Sequence, residues 1–214
     1  MKISALTQQE LLVQVEVSVK AALTLPELQS ALQAIGMSAD QVKVGLNLIK
    51  EVSTWQTSQT ATANNVRQTQ KTLRIAKEKV VALYARHLEA ARYMFRDEEE
   101  LQYALQLAGP RHTRYAKWHD QVRAFYNHLP PKALEPLKIL DKEINEVKKI
   151  LEQLPELQVL RNDARRQAQE TTHAKQMAIY DLRQWFRRFV KAAEFACQDT
   201  PQLLESMGIM VASS

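Results

Sequence analysis

Residues 66–94 read VRQTQKTLRIAKEKVVALYARHLEAARYM. Two seams run through them on a seven-residue beat. One is Val66, Leu73, Val80, His87 and Met94, and the other is Thr69, Ala76, Leu83 and Ala90. Alternating steps of three and four put both on one face of a helix that packs against another helix. Neither Gly nor Pro occurs between Gly45 and Gly109. The same spacing returns at Leu137, Leu140, Ile144, Val147, Leu151 and Leu154, and again at Leu182, Trp185, Phe189, Ala192 and Ala196. Tyr115, Trp118, Val122, Phe125 and Leu129 predict a shorter helix over about 113–129, stopped by Pro130-Pro131. Leu12–Lys20 fits a strand through Val13, Val15, Val17 and Val19, or a helix through Leu12, Val15, Val19 and Ala22. A lone strand has no partner in this chain, so a helix is expected. Ser38 before Gln41, Asp97 before Glu100 and Asp199 before Gln202 have the spacing of capping boxes.

A shift of 102 residues superposes one half of the pattern on the other. Leu32 meets Leu134, Val42 meets Ile144, Val52 meets Leu154, Tyr84 meets Phe186 and Leu101 meets Leu203. The expectation is a tandem duplication, with units 1–109 and 110–214 packed together as one domain. Each copy has a polar middle, Ser53–Thr60 in the first and Arg161–Arg165 in the second. Either is a hairpin turn or the centre of one long helix. The register passes through both without a slip, which favours a continuous helix, about 88 Å long if 38–96 is unbroken. Pro155 opposes it. Both alternatives give the same class, an all-α, elongated antiparallel helical bundle of two duplicated units with long amphipathic helices.

Composition removes several functions. The chain has 214 residues, 45% of them hydrophobic and 25% charged, which is too apolar for disorder. One cysteine excludes a disulfide framework and any multi-cysteine metal site. Four glycines leave little room for a phosphate-cradling loop. Gln8, Gln9 and Glu10 interrupt any signal-peptide core, and no window approaches the roughly 18 apolar residues of a membrane span. A cytoplasmic protein is the expectation.

No reactive constellation emerges, and no catalytic, cofactor or metal residue is expected. Glu170 and His173 form the single Glu-x-x-His, and Gln68 and Lys71 stand at the duplicated positions, so a di-metal carboxylate bundle lacks its ligands. His87 lies on an apolar seam and reads as a buried, hydrogen-bonded core residue. Cys197 and the three tryptophans, Trp55, Trp118 and Trp185, read as packing residues.

Charge is the remaining signal. The net charge is +5. Arg67–Arg96 holds eight basic and two acidic residues, and Arg161–Lys191 holds eight basic and three acidic. Solvated helix faces account for this simply. The leading functional expectation is a non-enzymatic structural or protein-interaction protein that self-associates or meets a helical partner through wide apolar faces. The alternative is polyanion or nucleic-acid binding by the basic faces of helices 66–96 and 164–197, through Arg67, Lys71, Arg74, Lys77, Arg165, Arg166, Lys175, Arg183 and Arg187. A metal- or cofactor-binding bundle is the third and weakest reading.

Overall fold

The computed structural model describes residues 3–209, and it is all helical, with no strand among the described residues. The α-helices are α1 (Gln8–Thr24), α2 (Pro26–Ala34), α3 (Ala39–Met94), α4 (Glu99–Ala104), α5 (Tyr115–His128), α6 (Asp141–Ala196) and α7 (Gln202–Ser206). Short 3-10 turns occupy Ile3–Ala5 and Glu135–Leu137. The chain is thus an all-α helical bundle dominated by α3 and α6.

α3 and α6 are continuous and each is 56 residues long, so neither polar middle is a turn. The Ser/Thr-rich stretch stays helical by bonding to its own backbone. The hydroxyls of Ser53, Thr54, Thr57 and Thr60 each donate to the carbonyl four residues earlier, at 2.9–3.2 Å. Pro155 is accommodated inside α6 without ending it. The two long helices begin 102 residues apart and end 102 residues apart. Left-handed backbone also recurs at that spacing, at Gly36 and Lys138 and at Gln106 and Gly208.

The chain forms two compact units, residues 1–63 with 167–214, and residues 64–166. The division falls inside both long helices. In the first unit, α1 contributes Leu11, Val15 and Val19, α3 contributes Val42 and Val52, and α6 contributes Leu182, Phe186 and Phe189, all buried. α3 and α6 run antiparallel here, with Gly45 against Trp185 and Gln59 bonded to Thr172. α7 is tied to α1 by Ser18 Oγ and Gln14 Nε2, which both donate to the Met207 carbonyl at 2.8 Å. In the second unit, Val80, Tyr84 and Leu88 of α3, Trp118, Val122 and Phe125 of α5, and Val147, Leu151 and Leu154 of α6 build the core. Arg86 meets Glu143 there, again antiparallel.

The helix caps differ in part from expectation. Ser38 and Gln41 form their reciprocal box. Thr7 and Glu10 form a second, unpredicted one, which holds the exposed Glu10 carboxyl below its ordinary pKa through bonds to the Thr7 backbone and hydroxyl. Asp97 and Asp199 do not cap. α4 starts after Glu98 and α7 after Pro201, and neither has a side-chain cap bond.

Candidate polar core and cleft

His87 is fully buried on the α3 seam of the second unit. The apolar register of α3 carries it inward, and α5 and α6 supply its partners. Its Nε2 lies 2.7 Å from Glu143 Oε1 and its Nδ1 lies 2.9 Å from the Tyr126 hydroxyl. The carboxylate can only accept, so the neutral ring donates from Nε2 to Glu143 and accepts the Tyr126 proton at Nδ1. Arg86 completes the group by donating to both Glu143 oxygens, at 3.0 and 3.3 Å. Burial lowers the His87 pKa, outweighing the opposite pull of the Glu143 hydrogen bond and charge. Burial, with Tyr84 and Glu143 nearby, pushes the Tyr126 phenol far above its ordinary range. Acid, imidazole and hydroxyl stand in the order of a proton relay. The hydroxyl is nevertheless fully buried and spends its proton on His87, so the group presents no nucleophile to solvent. The first unit has Phe189 at the position matching His87, stacked on Trp185 with centroids 5.0 Å apart.

A second polar device lies beside it. Pro155 has no N–H, so the Leu151 carbonyl one turn earlier loses its helical donor. His119 of α5 takes that place, with Nε2 3.1 Å from the Leu151 oxygen. This bond fixes the proton on Nε2. His119→Ala is expected to cost about 1–2 kcal/mol by leaving that carbonyl without a donor. In a Pro155→Ala background the backbone bond returns, and the same change is expected to cost less than half as much. Denaturant unfolding of the four chains measures the difference, and equal costs in both backgrounds would refute the pairing.

Between α5 and α6 opens a cleft of about 370 Å³. Pro155 is its exposed apolar side, with Leu151 and Tyr126 buried beneath, and His119, Arg123, Asn127, Lys148 and Glu152 supply its polar groups.

The nine basic residues singled out from the sequence do not form one site. Arg67, Lys71, Arg74, Lys77, Arg165 and Arg166 belong to the second unit, and Lys175, Arg183 and Arg187 to the first. Several are engaged within the fold. The Lys77 ammonium sits 5.2 Å from the Trp118 ring centroid. Lys175 donates to Gln59 Oε1 at 3.0 Å. Arg183 donates to the Ile3, Ser4 and Leu6 carbonyls and so holds the start of the chain. Arg74 meets Glu78 at 3.4 Å, and Arg166 meets Asp163 at 3.8 Å. Arg67, Lys71, Arg165 and Arg187 stand exposed.

His173 and Glu170 are both exposed, and among the described residues no group of three or more His, Cys, Asp or Glu is placed to hold a metal. Cys197 is buried, which raises its thiol pKa. No described helix is long and apolar enough to cross a membrane. Comparison with known proteins gives no match to a family model, a curated protein or a solved structure.

Proposed function

We propose that this chain is a non-enzymatic protein-interaction protein, built as a tandem repeat, that associates with further copies of itself through the outer faces of its long helices. One observation carries the reading. Large apolar side chains stand exposed at matching positions of α3 and α6, with Tyr93 73% and Phe195 68% accessible. Ile75 and Met177 repeat the arrangement at the same 102-residue spacing, at 51% and 46%. Single exposed hydrophobes are ordinary. Two kinds of apolar residue left outward at the same helix position in both long helices suit an interface used twice. The matching ends of α3 and α6 support the tandem repeat.

Light scattering across a concentration series tests this. The parent chain is expected to grow in mass toward high micromolar concentration. Tyr93→Ser with Phe195→Ser is expected to weaken association by at least about a hundredfold, since each buried aromatic is worth about 1.5–3 kcal/mol. A parent that stays monomeric throughout, or a variant that associates as strongly, would exclude the proposal.

A second reading rests on the solvent face of α3, where Arg67, Lys71 and Arg74 fall at steps of four and three. That stripe suits a polyanion. It ranks second because five of the nine predicted contacts are engaged within the chain.

A further inference from the structure

We propose that the cleft between α5 and α6 in the second unit is a binding site for a small organic anion, independent of how copies of the chain associate. Its volume, about 370 Å³, lies in the lower part of the range of small-molecule sites, roughly 300–1,000 Å³. The lining divides into an apolar wall and a charged rim. Pro155 is the exposed apolar residue of the wall, and Leu151 and Tyr126, both buried, close the cleft beneath it. Arg123 reaches the rim from α5 and Lys148 from α6. Among the described residues neither of these cations has an ion pair or hydrogen-bond partner, unlike Arg86 and Lys79 on α3, which meet Glu143 and Glu146. Glu152 is the single acid in the lining and is exposed, so the rim stays positive. A ligand with a flat apolar body and one carboxylate or phosphate would lay the body on the wall and its charge between Arg123 and Lys148.

The fold does not require this lining. At the 102-residue spacing, Lys148, Leu151, Glu152 and Pro155 correspond to Leu46, Ile49, Lys50 and Ser53 of α3. That helix reaches the same length with no proline and no cation at the matching position of Lys148. Proline inside a helix removes a backbone hydrogen bond and is strongly unfavourable, and in α6 it requires His119 as a substitute donor. The His87–Glu143 pair likewise occurs only in the second unit, and it fixes the hydroxyl of Tyr126, which is buried at the edge of the cleft. Proline, its compensating histidine and an anchored tyrosine give the cleft a preformed wall, which limits the ordering cost of binding.

Isothermal titration of the full chain tests the assignment, with benzoate, phenyl phosphate, inorganic phosphate and benzyl alcohol as probes. At least one of the two aromatic anions is expected to bind saturably at one site per chain. Benzyl alcohol, which lacks the charge, is expected to bind at least about tenfold more weakly, since a charged hydrogen bond is worth about 1.5–3 kcal/mol. Lys148→Ala and Arg123→Ala are each expected to weaken the anion by a similar factor. Both substitutions lie at the rim, and unchanged thermal unfolding would show that the fold is intact. Inorganic phosphate binding as tightly as phenyl phosphate would remove the apolar wall from the proposal and overturn it. So would the absence of saturable binding by either aromatic anion up to about 10 mM, weaker than a specific site of this size provides, or unchanged affinity in both variants.

Discussion

Gly45→Ala is expected to destabilise the chain, although alanine is the better helix former. Glycine in a helix interior costs up to about 1 kcal/mol relative to alanine, so propensity alone predicts a gain. Packing reverses the sign. A Cβ at Gly45 would lie 2.4 and 2.5 Å from two ring carbons of Trp185 and 2.9 Å from Val19 Cγ2. Trp185 cannot yield freely, because its ring stacks on the buried Phe189 with an interplanar angle of 10°. Overpacking of this kind costs about 1–3 kcal/mol, and here it acts on two packed side chains, Trp185 and the buried Val19. The net expectation is a loss of about 2 kcal/mol. The second unit shows how the clash is relieved. Its matching positions are Val147 and Leu83, valine in place of glycine and leucine in place of tryptophan, both within that unit's core. Trp185→Leu in the Gly45→Ala background is therefore expected to recover most of the loss, although Trp185→Leu alone leaves a void and is itself destabilising. Denaturant unfolding of the single and double variants gives the coupling directly. A Gly45→Ala chain as stable as the parent would show that the two long helices are not in this register.

The register was legible because the seams of α3 and α6 repeat without interruption over many turns. What interrupted the reading was local. Pro155 and the Ser/Thr-rich run at 53–60 have breaker composition, and each is repaired by a bond that sequence does not display. The hydroxyls of Ser53 and its neighbours bond one turn back, and the Leu151 carbonyl is served by His119, 32 residues away. The Thr7–Glu10 box was present as a sequence signal, a threonine three residues before a glutamate. Asp97 and Asp199 carried a similar signal and failed, because short helices of six and five residues begin beyond them. The burial of His87 followed from its place on the seam. Its partners did not, since Tyr126 and Glu143 lie 39 and 56 residues from it and reach it only through the packing of α5 and α6. The cleft was hidden for the same reason. Its cations come from two helices, and Pro155 gave no hint that its ring forms a wall. The basic residues Lys77, Lys175 and Arg183 were read as surface charge, whereas they serve a tryptophan face, a glutamine and a set of backbone carbonyls.

His87→Ala is expected to be the most damaging of these substitutions, at about 3–4 kcal/mol. It removes a buried ring, leaves a cavity, and strands the Tyr126 hydroxyl with no acceptor. Glu143 keeps Arg86 and remains partly exposed, so it adds less. His87→Phe separates these contributions, since Phe189 fills the matching position in the first unit. It restores volume but leaves the tyrosine proton unpaired, and a loss of about 1–3 kcal/mol is expected. His87→Phe with Tyr126→Phe removes both polar groups together and is expected to be more stable than His87→Phe alone. Acid reveals the same group. Burial holds the folded-state pKa of His87 below the ordinary value of 6.5, so in the window beneath 6.5 the unfolded chain binds the proton that the folded chain refuses. Stability from the neutral imidazole is present above about pH 6.5 and is lost as the pH falls toward the folded-state pKa. Urea unfolding between about pH 5 and 8 should therefore show the parent weakening on acidification, and the His87→Phe chain weakening less over the same interval. Parallel pH profiles for the two chains would mean that the Glu143 carboxylate offsets burial, and a parent that strengthens on acidification relative to the His87→Phe chain would mean that it outweighs burial.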